Sequence, residues 1–456
     1  MKLKQVPLAM AAVLLCANSA HLRAQAVCTA GQLDLNFGAA GTGYVQTSPV
    51  LMDAANGLSG EGEVVDSSNA SFSVSTAAID TAGNPNVDIV KIKAGGARDV
   101  SFGGFGAVVP QPPVSATFSS AALTADTSGN LVLGIISGDQ ASMVLYRYSA
   151  AGVLDTTFGN SGVVTIPVSA VNGPWAIQAA ADGSIFIAAG LMGNPQSSSN
   201  WQPVITKVTA SGALDTSFGV GGFSYFYQGA FGPGGKATDL SIQADGRILV
   251  GGRVGDNVTY SEFFVARLLA NGMLDTSFGT NSGLTVVSFG NTLADGRKMA
   301  VQRDGRIVLV GGAASNNSPS ALDGTGVIRL LANGQLDTSF NGTGSLQLFG
   351  YHGYVVALQN NNKILIGATQ FNAQQTATST LVVRLTVAGQ PDPAFGPAQN
   401  GIVVLNVPGA VSSGPSHVTY DTGGSILVRA YGNDLTGSIF TDYLARMASG
   451  SGSGCH

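Results

Sequence analysis

Repetition is the feature that most constrains this chain. The hexapeptide Leu-Asp-Thr-Ser-Phe-Gly stands intact at Leu214 to Gly219 and Leu274 to Gly279. Variants stand at Leu33 to Gly38, Arg98 to Gly103, Leu154 to Gly159, Leu336 to Asn341 and Pro391 to Gly396. The marker aspartates are Asp34, Asp99, Asp155, Asp215, Asp275, Asp337 and Asp392, at intervals of 55 to 65 residues. By length alone, 456 residues would be read as two or three domains. A sustained period of this size means instead one supersecondary unit used repeatedly, and seven markers predict seven units.

A basic residue lies eight positions before each marker aspartate but the first: Lys91, Arg147, Lys207, Arg267, Arg329 and Arg384. Arg446 has the same surroundings, Leu-Ala-Arg-Met-Ala-Ser-Gly, yet no aspartate follows it. The missing continuation is at the other end of the chain, in Ala30-Gly31-Gln32-Leu33-Asp34. One unit is therefore expected to be assembled from both termini, as in a closed ring. An open solenoid would need polar capping repeats, and none is evident.

Each unit reads as four strands. After the marker at Leu214 to Gly219 comes a strand from Gly222 to Tyr227, then a variable stretch. A second strand ends at Ile242-Gln243, and a third runs Arg247 to Gly251. A fourth runs Phe263 to Leu269 into the next marker. Asp245-Gly246 between apolar runs is a hairpin signal, because Gly accepts positive φ and Asp tolerates it. The signal recurs at Asp182-Gly183 and Asp304-Gly305, and in looser form at Asn361-Asn362 and Gly423-Gly424. In the most degenerate first unit, Asp66 to Ser75 is the best candidate. Four short strands in each of seven units predict an all-β, seven-bladed β-propeller, closed by pairing of the N- and C-terminal segments. Tandem sandwiches would need about twice as many strands per repeat.

The marker and the segment Ile242 to Gly252, Ile-Gln-Ala-Asp-Gly-Arg-Ile-Leu-Val-Gly-Gly, together resemble the delta-60 repeat family of secreted bacterial β-propeller-like proteins. The resemblance covers nearly all of the chain after its N-terminal segment. It implies a repetitive β-domain in an exported protein and brings no catalytic residues with it.

Residues 1–26 read as a signal peptide. Lys2 and Lys4 give a basic start, Val6 to Ala20 is mostly apolar but too short to span a bilayer, and Ala24-Gln25-Ala26 is a cleavage site. Residues 27–456 then form the single propeller domain, exported to the periplasm or beyond the cell. Only 10% of residues are charged, and 63 are glycine. Without Lys2, Lys4 and Arg23, 18 of the 21 basic residues face 26 acidic ones. No basic stripe is present, which argues against nucleic acid, and no later apolar run argues for membrane insertion. Partners stay unidentified at this stage, with carbohydrate or another secreted or surface protein as the chemistry to test.

The marker aspartates are read as structural. Calcium loops bring several acids together, whereas each marker offers one carboxylate suited to an Asx-type turn; no metal and no cofactor is expected. The marker Phe should plug the space between blades, and the upstream base should make an ion pair or a backbone clamp. Cys28 and Cys455 flank the two ends that the repeat brings together, so they are read as a disulfide closing the ring. The alternatives are free thiols or intermolecular pairing. No Gly-x-Ser-x-Gly or His-Glu-x-x-His motif is present, and no catalytic residue is assigned. Glu61 and Glu63 read as part of an exposed loop.

Strand alternation puts the Asp-Gly hairpins and the markers on one face and the variable loops on the other. Binding residues favour variable loops on a rigid scaffold. The ligand-binding candidates there are Trp175, Trp201, Tyr227, Tyr351, His352 and His417, with Tyr260, Phe371 and Tyr354 nearby. Their aromatic and amphipathic character suits carbohydrate or peptide recognition. Three functions follow: a non-enzymatic binding scaffold, a cell-surface structural or adhesive protein, or a polysaccharide-active hydrolase or lyase whose groups converge from different blades.

Overall fold

The computed structural model describes residues 30–450 apart from 39–41, 52–58, 80–84, 111–117, 138, 169–170, 193–200, 226–233, 256–260, 291–292, 314–323, 373–376 and 434–438. The segment read as a signal peptide, Cys28, Cys455, Tyr227 and Tyr260 lie outside the described residues.

The chain is a seven-bladed β-propeller of four-stranded antiparallel blades. Blade 4 shows the plan: an inner strand Gly235–Ile242, then Ile248–Gly255, Ser261–Leu268 and an outer strand Leu284–Val287. The inner strands of the other blades begin at Glu63, Phe118, Val171, Ala294, His352 and Ser412. The four strands of each sequence unit are present, but the blade boundary falls one strand later than the marker. The strand after a marker is the outer strand of the blade already under way, because the marker turn reverses the chain back onto the third strand. Leu274, for example, bridges to Leu268.

Closure follows from that offset. The C-terminal segment supplies the three inner strands of blade 7, Ser412–Tyr420, Ile426–Asn433 and Ile439–Met447. The N-terminal strand Tyr44–Leu51 pairs antiparallel with the last of these, from Tyr44 opposite Ala445 to Leu51 opposite Ile439. The break in the chain falls in the turn before the marker. Gly31 N–H donates to Ala448 O at 2.7 Å, and Ala448 N–H donates to Gln32 O at 2.9 Å.

The core is divided into slabs between blades. Each of seven apolar clusters joins two neighbouring blades and contains one marker phenylalanine or packs beside it. All seven, from Phe37 to Phe395, are at most 2% exposed. Fully burying a side chain of this size contributes about 1.5–3 kcal/mol relative to leaving it in water.

The marker aspartate has the two jobs its position predicted. In blade 5, Asp337 Oδ1 accepts the backbone N–H and the hydroxyl of Ser339, at 3.1 and 2.6 Å, shaping the turn. Its Oδ2 accepts Arg329 Nε at 2.8 Å. The same arginine donates to Val387 O in the next blade and lies 4.9 Å over the Phe340 ring. Thus the base is both an ion-pair partner and an interblade clamp. Arg147, Arg267, Arg384 and Arg446 repeat the reach to the next blade, onto Ala210, Ala332, Ser449 and Ala94 O.

Blades 1 and 3 carry lysine at this position and compensate. Lys91 and Lys207 face Phe72 and Phe186 on the neighbouring strand, where the arginine blades have Val or Leu. Those rings meet the marker rings edge-on, Phe72 with Phe102 at 5.5 Å and Phe186 with Phe218 at 5.6 Å. The extra ring fills what a guanidinium fills elsewhere.

Candidate functional site

Every inner strand runs from the variable-loop face to the hairpin face, and the same register position on each strand lines the central channel. At that level stand Gly62, Ala122, Ala176, Asp239, Lys298, Val355 and His417, one from each blade. With Glu63, Trp175 and their neighbours they enclose a cavity of about 180 Å³. That is small beside the ~300–1,000 Å³ of pockets that engulf a drug-sized ligand, so it has room for a single small group.

The channel is not an open pore. Lys298 Nζ donates to Trp175 O at 2.9 Å, spanning from blade 5 to blade 3. Asp239 Oδ2 accepts the backbone N–H of Met299 on the next blade at 2.6 Å. The strand Ser59–Glu61 leaves blade 1 and pairs in parallel with the inner strand of blade 2. Glu63 is therefore no loop residue: it opens the short inner strand Glu63–Val65 and lines the cavity. Burial raises its carboxyl pKa, against the Ser71 hydroxyl bond and the Arg429 charge.

Toward the variable-loop face a charged and aromatic group stands above this cavity. A β-bulge interrupts the inner strands of blades 4, 5 and 6 at the same place, after Ala237, Gly296 and Gly353. Bulges re-aim side chains, and the residues around these ones are Lys236, Asp295 with Arg297, and His352 with Tyr354. Arg297 reaches Asp295 at 2.9 Å, Arg253 reaches it at 3.2 Å and Lys236 at 3.8 Å. Burial alone would raise the Asp295 pKa, but Arg297, Lys236 and Arg253 together hold it well below the ordinary carboxylate range.

The cations also lie on rings. Lys236 Nζ is 4.2 Å from the centroid of Trp175, and the Arg297 guanidinium is 4.7 Å from that of Tyr354. His352 packs against Tyr354 at 4.7 Å between centroids. Its ring lies on bare backbone, since a Cβ at Gly312 would collide with Cε1. Both His352 ring nitrogens are buried with no hydrogen-bond partner among the described residues. Burial, with Arg297 adding to it and Asp295 opposing, lowers its pKa to about 4. His417 falls to about 3 through burial and the charges of Lys298 and Arg429. Both imidazoles are neutral at physiological pH.

Of the residues predicted to bind ligand, Trp175, His352 and His417 meet at the channel. Tyr351 does not: it is buried in the slab between blades 5 and 6 and offers only its backbone oxygen to Thr325. It is only 8% exposed, which leaves its ring no open face. Trp201 begins the third strand of blade 3 opposite Met192, away from the cavity lining. The sequence reading missed Lys236, Asp239, Arg253, Asp295, Arg297 and Lys298. The available signal was Asp295-Gly-Arg-Lys298, three charges inside one strand where the other inner strands carry at most two. No group of acids, histidines or cysteines among the described residues could hold a metal ion.

Comparison with known proteins agrees with the fold. Residues 243–278, 302–340 and 359–395 match a family described as a domain of unknown function (DUF5122) β-propeller. No curated protein matches the sequence. The polysaccharide lyase Uly1 is similar in structure with a TM-score of 0.52 at 13% identity, over 87% of this chain and 91% of that one. A protein of unknown function from Dyadobacter fermentans DSM 18053 aligns at 10% identity and TM-score 0.40, over 89% and 100%. The glycoside hydrolase family 43 β-1,3-galactosidase BT3683 aligns at 10% and 0.33, over 59% and 92%.

Proposed function

We propose that this chain is an exported propeller of the delta-60 repeat type that binds a saccharide at the variable-loop end of its channel and does no chemistry on it. One observation carries the reading. Trp175, Arg297 and Tyr354 occupy equivalent positions on the inner strands of three different blades, beside the channel cavity. Rings with polar edges, rigidly mounted around a concave centre, suit a ligand that is flat and apolar on its faces and hydroxylated at its rim. The cations are held by Asp295 or stacked on rings, and the unpartnered imidazole of His352 is buried. Such groups orient a ligand without needing to react.

The test is a glycan array run in parallel with an assay for newly formed reducing or unsaturated ends. Binding without cleavage is expected. A triple variant Trp175→Ala, Arg297→Gln, Tyr354→Ala should lose binding while its unfolding curve shows a folded propeller. Unchanged binding would dismiss the site.

A polysaccharide-cleaving enzyme is the second reading, and one observation favours it. A neutral histidine beside a tyrosine and an arginine is a chemically competent acid–base group. Time-dependent appearance of cleaved ends, abolished by His352→Gln, would replace the first reading with this one.

A further inference from the structure

We infer that a polar contact between blades 7 and 1 selects how the ring closes, because it makes blade 7 the one blade whose surface fits the open face of blade 1. This property of the ring is independent of what the channel binds.

Each blade turns one face to the blade before it and the other to the blade after it, and alternation along the strands decides which residue goes where. In blade 1, Phe72 and Val74 belong to the slab with blade 2. Ser71 and Ser73 therefore point to blade 7, with Glu63 opposite Ser73 on the inner strand, and Asp88 shares that side with Val90. In blade 7, Leu427 belongs to the seam slab and Val428 to the slab with blade 6, so Arg429 points to blade 1. Ser71, Ser73 and Arg429 are each only 2% exposed. Ser71 Oγ donates to Glu63 Oε1 at 2.5 Å, and Arg429 Nη2 donates to Asp442 Oδ2 at 2.9 Å. The Arg429 charge acts on the Glu63 carboxyl from across the interface.

No other interface has these residues. Strand pairing aligns the blades position by position. Where blade 1 has Ser71, the others have Leu or Ile; where it has Ser73, they have Leu, Ile or Val; where it has Glu63, they have Leu, Ile, Met or Val. Where blade 7 has Arg429, the others have Gly, Ala or Val, and Asp442 is the one charged residue four positions before a clamp base. Size is exchanged along with polarity. A Cβ on Gly251 would meet Leu309 Cδ1 at 3.1 Å and Met299 Cβ at 3.5 Å, and one on Gly134 would meet Ile177 Cγ2 at 3.2 Å. Leu309 stands where blade 1 has Ser73, while Met299 and Ile177 stand where it has Glu63. Elsewhere, then, a small residue meets large ones of the following blade; at the seam the large residue is Arg429, and serines face it.

A wrong contact is penalised from both sides. Arg429 against the leucine or isoleucine of another blade would be crowded and would bury its charge in an apolar surround. The serines and Glu63 against the glycine of another blade would enclose a void and a carboxyl far from any arginine. Seven similar units otherwise present similar faces, and misassembly is a characteristic failure of repeat proteins. Buried polar groups fix one contact over another in some folds, whereas packed apolar replacements often leave stability unchanged. Selection and stability are therefore separable.

The experiment refolds the full-length chain from urea under reducing conditions, so that no disulfide presets closure. Closed monomer is read by light scattering after size exclusion, together with amide hydrogen exchange of Ile439–Met447, the strand that pairs with Tyr44–Leu51. The variant Glu63→Leu, Ser71→Ile, Ser73→Leu, Arg429→Gly, Asp442→Thr carries the pattern of the other blades across the seam. Its urea midpoint should match or exceed that of the unaltered protein. Its yield of monomer with protected Ile439–Met447 amides should fall, as larger species and unprotected monomer appear. Recovery of closed monomer at the unaltered yield would overturn the inference. So would a fall in yield matched by a fall in the midpoint, which would mean that the polar set holds the ring without selecting its contact. If this variant does not fold, Arg429→Gly with Asp442→Thr decides by the same two readings, since it gives blade 7 the Gly367 and Thr380 pattern of blade 6.

Discussion

Blades 4 to 6 and the seam between blades 7 and 1 solve the same packing problem in different proportions. The slabs between blades 4 and 5 and between blades 5 and 6 each hold eleven buried apolar residues. The seam slab holds five among the described residues: Phe37, Val90, Ile92, Leu427 and Leu444. Apolar burial contributes in proportion to area, so among the described residues the seam gains less from it. The seam keeps the polar clamp of the other interfaces. Arg446 Nε donates to Asp34 Oδ2 at 2.8 Å and its Nη1 to Ala94 O at 2.8 Å. Gly38 N–H reaches Gly95 O at 3.2 Å. Among the described residues, apolar burial is divided unequally around the ring while the polar clamp is repeated.

If that division holds, a covalent link should matter most at the seam. A Cβ on Gly450 would touch Ala30, which brings the ends of the described chain into contact, with Cys28 two residues before one and Cys455 five residues after the other. We propose that the two cysteines are bridged. Closing so long a loop corresponds to about 5 kcal/mol in the chain-entropy account. Reduction, or a Cys28→Ser, Cys455→Ser variant, should lower the unfolding free energy measured in urea by an amount of that order. Peptide mapping under non-reducing conditions that finds both thiols free would end the proposal.

Next in size is the arginine clamp. Arg384 and Asp392 are only 3% and 4% exposed, and Arg384→Ala should cost about 3 kcal/mol, the low end for a broken buried pair, because Lys363 Nζ remains 2.8 Å from the Asp392 carboxylate. At the seam, Arg446 and Asp34 are 17% and 10% exposed, and Arg446→Ala should cost about 1–3 kcal/mol, between the buried and surface cases. Denaturant unfolding of both variants checks the order. Equal losses would mean that the seam is as well sealed from water as the central blades.

A smaller effect tests the lysine blades. Lys207→Arg places a guanidinium where Phe186 already covers Phe218, and should destabilise by about 1–3 kcal/mol through overpacking. Adding Phe186→Leu should recover most of it, since the arginine blades have that pairing. A double-mutant cycle with no coupling would show that the two positions are independent.

These contrasts bear on what the sequence could disclose. Seven-fold periodicity, the hairpins, the plugging Phe and the shared blade were all legible, because each recurs or completes a pattern across the termini. Blade boundaries were not, since the marker is a repeat in sequence yet a turn inside a blade in space. The site was half legible. Trp175, His352 and His417 stood out as rare residue types, whereas Arg297 and Asp295 on one strand and Lys236 on another, more than fifty residues earlier, belong to common types. Only closure of the ring brings such strands to one axis, and only the bulges turn these side chains toward each other. Tyr351 misled for the opposite reason: it sits at a blade entrance in sequence, but apolar neighbours from two blades close over it.

Acid provides a further test, and it separates the two regions by pH. His352 titrates near 6.5 in an unfolded chain and at about 4 in the folded one, where burial and Arg297 disfavour its charge. Between those values the unfolded state binds more protons. The stability from the neutral imidazole is therefore complete above about pH 6.5 and is lost as pH falls toward about 4. His417 behaves alike, down to about 3. The marker Asp99 is held at about 2, chiefly by the Ser101 hydroxyl, against its burial and with help from Lys91. Its contribution is present above the unfolded value of about 3.9 and is lost only as pH falls toward 2. A variant with both His352→Gln and His417→Gln should flatten the stability profile between about pH 6.5 and 4 and leave the steeper loss below pH 4 in place. Were the upper part of the profile unchanged in that variant, the mouth histidines would not be the groups that titrate there, and the neutral, unpartnered state assigned to His352 would be wrong.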